Sequence, residues 1–171
     1  IDDFIINPKE IHKINIDAKS AKLWGTSLEK ATNDGNLLHE IMSKIYSKLD
    51  LDKVLQDFYD NGTLDSKLKE KYKQIIVEIL DHDKLSLYYN PDLKSYNEKD
   101  IIIKNSDPIR ADRIVFNSAE EVSIIDYKTG KLKNGDYTQI NHYEKVLSEM
   151  GYVVKNKIIV NTENDLEVII L

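Results

Sequence analysis

Cysteine is absent from this sequence of 171 residues, which excludes disulfide bonds and cysteine-ligated iron–sulfur clusters. The lack of cysteine favours a reducing compartment, so we expect a cytoplasmic location. No apolar run approaches the roughly 18 residues that span a bilayer, and no signal peptide is visible, so no membrane partner is expected. The sequence also lacks the P-loop, the glycine-rich dinucleotide turn, the His-Glu-x-x-His helix and the Gly-x-Ser-x-Gly turn, so no competing catalytic motif stands out.

Basic residues are in deficit. The 24 lysines and arginines are outnumbered by 30 aspartates and glutamates, which gives a net charge of −6. A tight, autonomous nucleic-acid binder draws much of its affinity from lysine and arginine on phosphates, so the composition argues against that class. Any role on nucleic acid must then be local chemistry, with binding helped by other parts of a larger protein.

Length and the first residue bear on domain organisation. A chain of this size suits one domain with a single sizeable core, so we expect residues 1–171 to form one domain. Residues 1–34 are expected to be a loosely structured or helical lead-in, with a helical composition over 18–32 that Gly25 interrupts. Because the chain begins at Ile1 rather than methionine, we expect a fragment of a longer protein.

Apolar residues at helical spacing predict three early helices, over residues 35–49, 51–60 and 66–80. His39 lies at the border of the apolar stripe of the first helix. On position alone, a bordering histidine is more often a hydrogen-bonded structural residue than a ligand. The stripe itself comprises Leu38, Ile41, Met42, Ile45, Tyr46 and Leu49.

The second half of the chain is predicted to be strands around one helix. Glu98 lies near the start of the first strand, and Gln139 and Tyr143 lie one turn apart on a shared face of the helix. Helices followed by a meander, another helix and more strands predict an α/β or α+β fold with a mixed central sheet flanked by helices. The predicted strands cover 96–104, 152–160 and 166–171, and a loop over 131–135 precedes the helix over 137–150.

The stretch from Pro108 to Gly130 has the pattern of a β-hairpin, since two β-rich runs flank a short polar connection. If residues 118–120 form the loop, paired residue numbers sum to 238, and Asp112 lies opposite Asp126 with Cβ atoms roughly 5 Å apart. Like charges so placed are destabilising, but a divalent cation between them reverses the local electrostatics. A register slip of one residue would instead put the two aspartates on opposite faces.

Asp126 is followed two residues later by Lys128, which shares its face of the strand. Asp-x-Lys occurs four times in the sequence, so the tripeptide alone is uninformative, and a satisfied aspartate beside a solvated lysine is the plain alternative. This copy differs because it ends an apolar strand and follows a second aspartate on a partner strand. Two carboxylates can hold Mg²⁺, with the backbone carbonyl of Tyr127 as a further ligand. With an ammonium to orient water and stabilise charge, Asp112, Asp126 and Lys128 suit metal-assisted phosphodiester hydrolysis.

Four segments carry a further signal. They are residues 35–41 (Gly-Asn-Leu-Leu-His-Glu-Ile), 109–115 (Ile-Arg-Ala-Asp-Arg-Ile-Val), 124–131 (Ile-Ile-Asp-Tyr-Lys-Thr-Gly-Lys) and 139–143 (Gln-Ile-Asn-His-Tyr). In this order they resemble the PD-(D/E)XK nuclease domain of the RecB/AddA/AddB group, over most of residues 35–160. Asp-Tyr-Lys-Thr-Gly followed by Gln-x-x-x-Tyr is the most specific part. The resemblance implies a restriction-endonuclease-like core.

The resemblance also implies a role for each matching residue. Asp112 and Asp126 match the metal-binding carboxylates, Lys128 matches the catalytic lysine, and His39 matches a histidine that joins the metal site. The family often has glycine where this chain has Ala111, and the subgroup with an iron–sulfur staple uses four cysteines, so that subgroup is excluded. Supporting or DNA-contacting positions are matched by Gln139, Tyr143 and Glu98, and a purely structural role for the first two is also open.

By this resemblance the chain is expected to be a Mg²⁺- or Mn²⁺-dependent DNA exonuclease domain, the C-terminal part of an ATP-dependent helicase–nuclease. Its expected role is DNA end processing in recombinational repair. Expected partners are DNA, helicase domains in the same full-length chain and a second helicase–nuclease subunit. A histidine beside carboxylates tolerates Mn²⁺ well, so the metal stays open. Two alternatives remain: a non-catalytic DNA-guiding or partner-docking module of the same fold, and a stand-alone restriction-type or CRISPR-adaptation nuclease.

Overall fold

The computed structural model describes residues 36–101 and 108–171. In this part of the chain the strands are β1 (Ser95–Ile101), β2 (Ile109–Phe116), β3 (Glu121–Lys128), β4 (Val153–Asn161) and β5 (Glu167–Ile170). They form one sheet in sequence order, in which β3 and β4 are parallel and the other neighbours are antiparallel. Helices flank this sheet, so the predicted α/β class with a mixed central sheet is confirmed.

The described α-helices are α1 (36–42), α2 (Leu51–Asp60), α3 (Ser66–Asp81) and α4 (Asn134–Glu149). Short 3₁₀ helices cover Lys48–Asp50 and Ser86–Tyr89. α4 joins β3 to β4, and such a long connection is needed because parallel strands cannot be linked by a tight turn.

Two apolar clusters, one on each face of the sheet, hold the helices in place. The first packs α1, α2 and α3 against Val115 and Ile125. The second packs α4 against Ile124 and Ile159. Full burial of one such isoleucine stabilises a fold by about 1.5–3 kcal/mol. Because Ile124 and Ile125 are consecutive and face opposite ways, α1 and α4 lie on opposite sides of the sheet.

The first helix is shorter than predicted. α1 ends at residue 42 rather than 49, because side chains from the sheet bind the carbonyls that a longer helix would use. Asn97 and Arg113 donate to backbone oxygens within residues 42–46. Tyr46 and Leu49, which were predicted to belong to the buried stripe, are exposed as a result, Leu49 by 83%.

The other helix boundaries follow local signals. α2 is confirmed, and the chain leaves it through Gly62, whose φ of +82° is the left-handed conformation that favours glycine. α3 extends one residue beyond its predicted end. α4 begins at Asn134, three residues earlier than predicted, because Asp136 Oδ2 accepts the Lys133 backbone N–H at 2.7 Å and caps the first turn. The predicted loop over 131–135 is therefore shorter.

The predicted strands are confirmed within the described residues. β1 begins one residue before its prediction and is described as far as Ile101, and both ends of β4 and β5 fall within one residue of theirs. The rest of the first predicted strand, 102–104, and the helical composition over 18–32 lie outside the described residues. Within 36–101 and 108–171, no helix has the length and apolar character that a membrane crossing requires.

The sheet has a kink between β1 and β2, where the regular alternation of side chains between the two faces of the sheet is interrupted. Val115 packs in the first cluster, and side-chain alternation would turn Ala111 to the same face, yet Ala111 packs in the second cluster. The ladder between β1 and β2 skips Glu98 and Asp112 at this point. Glu98 has a φ of +50°, a conformation that costs a non-glycine residue about 1–3 kcal/mol. Two acidic residues therefore stand at the kink, outside both apolar clusters.

Candidate metal centre

The hairpin forms in the predicted register. Arg113 pairs with Ile125, so paired residue numbers sum to 238, and residues 118–120 form the loop. The ladder of β2 and β3 ends at this pair, and the next residue, Asp112, accepts the backbone N–H of Tyr127 with Oδ2 at 2.7 Å. The side chain of Asp112 thus takes the place of a ladder hydrogen bond and is fixed against β3.

Three carboxylates lie next to one another across β1, β2 and β3. The pairs that flank the skipped position place Glu98 beside Asp112, and the hairpin register places Asp112 beside Asp126. Like charges on directly opposite residues destabilise a sheet. The arrangement therefore needs positive charge nearby.

His39 brings part of that charge from α1. Its Nδ1 lies 3.2 Å from Asp112 Oδ1 and 3.8 Å from Glu98 Oε1. Its ring packs edge-on against Tyr127, with centroids 6.1 Å apart. Burial lowers the pKa of His39, but the hydrogen bond to Asp112 and the charges of the three carboxylates outweigh burial and raise the pKa above its usual value. The carboxylates thus favour a cation at this position.

Asp126 is the most deeply buried of the three carboxylates, with 2% of its side chain exposed. Burial and the charge of Asp112 raise the pKa of Asp126 to about 6, although Lys128 and His39 oppose the shift. Lys128 Nζ lies 2.7 Å from Asp126 Oδ2 as an ion pair, but no described donor forms a well-directed hydrogen bond to this oxygen. Lys128 is thus the positive partner of this oxygen, and its contact and charge lower the pKa of Asp126 without cancelling the effects of burial and of Asp112.

Lys128 is oriented by α4. Its Nζ donates to Gln139 Oε1 at 2.9 Å, Gln139 Nε2 donates to the Tyr143 hydroxyl at 2.7 Å, and that hydroxyl donates to the Arg110 carbonyl at 3.0 Å. Burial and the neighbouring carboxylates raise the pKa of Tyr143 to about 12, so its hydroxyl keeps its proton at neutral pH. This chain of hydrogen bonds fixes the ammonium relative to the backbone of β2.

These groups line one open cleft of about 630 Å³. A smaller depression of about 230 Å³ adjoins it beside His39 and is lined by residues 127–131, Lys133 and Asp136. The predicted side chains that line the main cleft are His39, Glu98, Asp112, Asp126, Lys128, Gln139 and Tyr143. An open, polar cleft of this kind suits an extended charged ligand better than a small apolar one, which would be enclosed by apolar walls.

The role predicted for the Tyr127 carbonyl stays a prediction. The N–H of Tyr127 is bound by Asp112, and its hydroxyl forms a buried hydrogen bond with the hydroxyl of Tyr89. Burial raises the pKa of Tyr127 well above its usual value. The side chain of Tyr127 is therefore part of the apolar core beneath the cleft.

The sequence analysis missed Arg110. This residue lines the cleft, and its Nε lies 3.3 Å from Glu98 Oε2. A signal was present, because Arg110 precedes Asp112 by two residues on a strand, a spacing that puts two side chains on one face. Four further residues line the cleft and carry no comparable signal in the sequence: Asn36, Glu40, Ser43 and Thr129.

Arg113 ties α1 to the sheet beneath the cleft. Its guanidinium is buried and donates to Asn97 Oδ1 and to the carbonyls of residues 45, 46 and 88 at 2.9–3.1 Å. It also stacks over the ring of Tyr89, 4.4 Å from the centroid. Because Arg113 directly follows Asp112 in the chain, these bonds fix the end of α1, and with it His39, close to Asp112.

The donor set fits a divalent cation. His39, Glu98 and Asp112 each offer one ligand atom, and these atoms all lie within 4.8 Å of one another. Asp126 Oδ2 adds a buried oxygen that lacks a well-directed donor among the described residues. Mg²⁺ and Mn²⁺ prefer oxygen ligands, and Mn²⁺ also accepts imidazole. His39, Glu98 and Asp112 could hold such an ion, and Asp126, which is not one of these three, lies beside Asp112 in the sheet.

Comparison with known proteins does not assign a family. No protein-family model matches the sequence, and no curated protein matches it significantly. The geometry of the cleft and the short motifs that build it are therefore the features that bear on function.

Proposed function

We propose that the chain is a divalent-metal-dependent nuclease domain with a restriction-endonuclease-like core, which hydrolyses phosphodiester bonds in DNA. One observation carries the proposal: three carboxylates on adjacent strands, a histidine and a helix-oriented lysine line a single open cleft. The mixed sheet flanked by helices and the resemblance of the motifs to the RecB/AddA/AddB group support the same conclusion.

His39, Glu98, Asp112 and Asp126 are the residues that would hold the ion. A bound Mg²⁺ or Mn²⁺ would polarise a phosphate oxygen and acidify a nearby water. The repulsion between Asp112 and Asp126, which helps to raise the pKa of Asp126, supports this assignment, because a cation between two carboxylates removes it.

Lys128 is assigned the role of stabilising charge at the reacting phosphate. An ammonium has three N–H groups, and the contacts with Asp126 and Gln139 aim the Lys128 ammonium along the wall of the cleft. An N–H that is not bound to Gln139 can donate to an attacking water or to a phosphate oxygen and stabilise the negative charge that develops there. Gln139 and Tyr143 act by positioning this lysine.

The weak overall attraction for nucleic acid is consistent with a domain of a larger enzyme. With a net charge of −6, the chain gains little affinity from long-range attraction to phosphates. We infer that helicase domains in the same full-length protein, together with a partner subunit, would deliver DNA to the cleft in the cytoplasm.

Substitution of Lys128 tests the proposal. The chain is expected to degrade end-labelled DNA in the presence of Mg²⁺ or Mn²⁺ and to lose this activity in EDTA. Lys128→Ala is expected to reduce the rate about a hundred- to a thousandfold, the usual loss when a preorganised donor at the reacting centre is removed, while circular dichroism stays unchanged. Gel electrophoresis of the products measures both effects.

Lys67→Ala is the matched control, because Lys67 belongs to another Asp-x-Lys tripeptide and is exposed on α3. This variant is expected to keep the full rate. Undiminished Mg²⁺-dependent activity of Lys128→Ala would contradict the proposal. A chain that neither binds Mn²⁺ in calorimetry nor cleaves DNA would instead be the non-catalytic docking module.

A further inference from the structure

Arg110 is more exposed than Lys128, the other basic residue of the cleft. Among the described residues, Arg110 and Lys128 are the two permanently charged cations that line the cleft. Lys128 is committed to Asp126 and Gln139 and is 20% exposed. The side chain of Arg110 is 60% exposed, and Glu98 is its described partner, through Nε at 3.3 Å. Most of this side chain is therefore accessible to solvent at the cleft.

The local charge gives this arginine a specific partner. The acidic residues that line the cleft are Glu40, Glu98, Asp112 and Asp126, and they repel a nucleic-acid strand unless cations meet its phosphates. Guanidinium presents five N–H donors in a planar fork that matches phosphate oxygens in pairs. A surface ion pair such as Arg110–Glu98 contributes little by itself, so the arginine can exchange it for a phosphate.

Glu98 connects this exchange to the metal centre. One oxygen of Glu98 lies 3.8 Å from His39 Nδ1, while the other faces Arg110. The same carboxylate is thus shared between the ligand cluster of His39, Glu98 and Asp112 and the arginine. With the oxygen that faces His39, Glu98 would hold a cation, and its negative charge would then be shared between that cation and Arg110.

We propose that Arg110 binds a phosphate that flanks the scissile phosphate in the substrate strand, in exchange for its ion pair with Glu98. The inference rests on the proposed nuclease function and adds to it a subsite for the polynucleotide backbone. In this proposal Arg110 acts in substrate binding rather than at the reacting phosphate.

Two substrates separate this role from one at the reacting phosphate. An oligonucleotide has flanking phosphates, whereas bis(4-nitrophenyl) phosphate is a diester without them. Arg110→Gln is expected to raise the KM for the oligonucleotide about tenfold, which corresponds to about 1.4 kcal/mol, with kcat little changed. Hydrolysis of the small diester is expected to stay the same. Arg110→Lys, which keeps the charge but not the fork, is expected to lie between the wild type and Arg110→Gln.

Lys99→Gln is the control for a general loss of positive charge. Lys99 is next to Glu98 in the chain and exposed, but it lines an apolar groove rather than the cleft. Its removal is expected to leave the KM for the oligonucleotide within about twofold of wild type, because a solvated charge outside the site is largely screened. An equal rise in KM for Lys99→Gln and Arg110→Gln would overturn the subsite.

The remaining outcomes are also decisive. If Arg110→Gln leaves the KM for the oligonucleotide unchanged while wild type cleaves it, the subsite is wrong and the nuclease proposal stands. If Arg110→Gln slows both substrates equally, Arg110 acts at the metal centre and the subsite is again wrong. Wild-type protein that binds Mn²⁺ but cleaves neither substrate contradicts the nuclease function itself.

Discussion

Asp112 and Arg113 are neighbours on β2, yet the molecule compensates their charges to different degrees. Arg113 is 1% exposed and donates to an amide and three carbonyls. Asp112 lies between Glu98 and Asp126, with His39 as the nearby titratable donor. A buried charge is stable when its hydrogen-bonding groups are satisfied. By this criterion both side chains are nearly satisfied, since both oxygens of Asp112 are bonded and Arg113 lacks a described partner at Nε alone. The difference lies in the neighbouring charge: Arg113 donates to neutral acceptors, whereas Asp112 stands between two further carboxylates.

The difference separates a charge that the fold stabilises from charges that favour a bound cation. Arg113 binds α1 to the sheet, so it stabilises the fold without any added ligand. The carboxylates at the kink repel one another, and Glu98 holds a costly backbone conformation. Strain and unbalanced charge of this kind persist at functional sites because a ligand completes them. The contrast therefore supports the candidate site without reference to any motif.

Substitution of Arg113 is expected to have the largest effect on stability. Arg113→Met leaves Asn97 and the carbonyls of residues 45, 46 and 88 without their donor in the core, so the free energy of unfolding should fall by about 3–5 kcal/mol. Urea denaturation followed by circular dichroism measures the change. Arg110→Met is the control, because the same replacement on an exposed arginine should change stability by less than about 0.5 kcal/mol. Equal stability of the two variants would show that Arg113 does not stabilise the fold more than Arg110 does.

Much of the fold could be predicted because its signals are local. The register of the hairpin followed from a three-residue loop, and the boundaries of α2 followed from its apolar spacing and the Asn61–Gly62 stop. The end of α1 could not be predicted, because Asn97 and Arg113 determine it from more than fifty residues away in the chain. Helical periodicity continues through that end, so only tertiary contacts reveal it.

The residues of the candidate site likewise divide into those that a local sequence pattern predicts and those that it does not. Asp126 and Lys128 stood out because they end an apolar strand, and Asp112 followed from the register. His39 emerged only from the motif resemblance, since its place at the border of a stripe is typical of a structural histidine. The pairing of Arg110 with Glu98 depends on the contact between β1 and β2, which no local pattern encodes.

Asp126→Asn tests whether the negative charge around Asp112 lacks full compensation in the absence of a metal. In metal-free protein, burial and Asp112 raise the pKa of Asp126 to about 6, above its value in the unfolded chain. The native state therefore favours the protonated form, and Asp126 contributes stability at low pH that is lost as the pH rises from about 4 through 6. Asparagine avoids the buried charge, so the variant should be about 2 kcal/mol more stable than wild type at pH 7.

The measurement is urea denaturation in EDTA at pH 4 and pH 7. The stability advantage of Asp126→Asn should be present at pH 7 and largely absent at pH 4. Asp92→Asn is the control, because Asp92 is exposed in a turn and its replacement should be neutral at both values. An Asp126→Asn protein that is less stable than wild type at pH 7 would show that the carboxylate is satisfied without an ion.

Gln139→Ala should have the smallest effect, because Gln139 acts through Lys128. Without Gln139 Oε1, the Lys128 ammonium loses the 2.9 Å hydrogen bond that links it to Tyr143 and β2. We therefore expect kcat to fall about tenfold, which corresponds to about 1.4 kcal/mol. The Mn²⁺ affinity measured by calorimetry should stay unchanged. Asn141→Ala is the matched control. Asn141 lies on the same helix and accepts a hydrogen bond from Lys157 Nζ, also at 2.9 Å, but away from the cleft, so this variant should keep the full kcat. A parallel loss of Mn²⁺ affinity in Gln139→Ala would mean that α4 supports the carboxylates as well as the lysine. The set of side chains that depends on a bound ion would then extend from β2 as far as α4, further than the contrast between Asp112 and Arg113 implies.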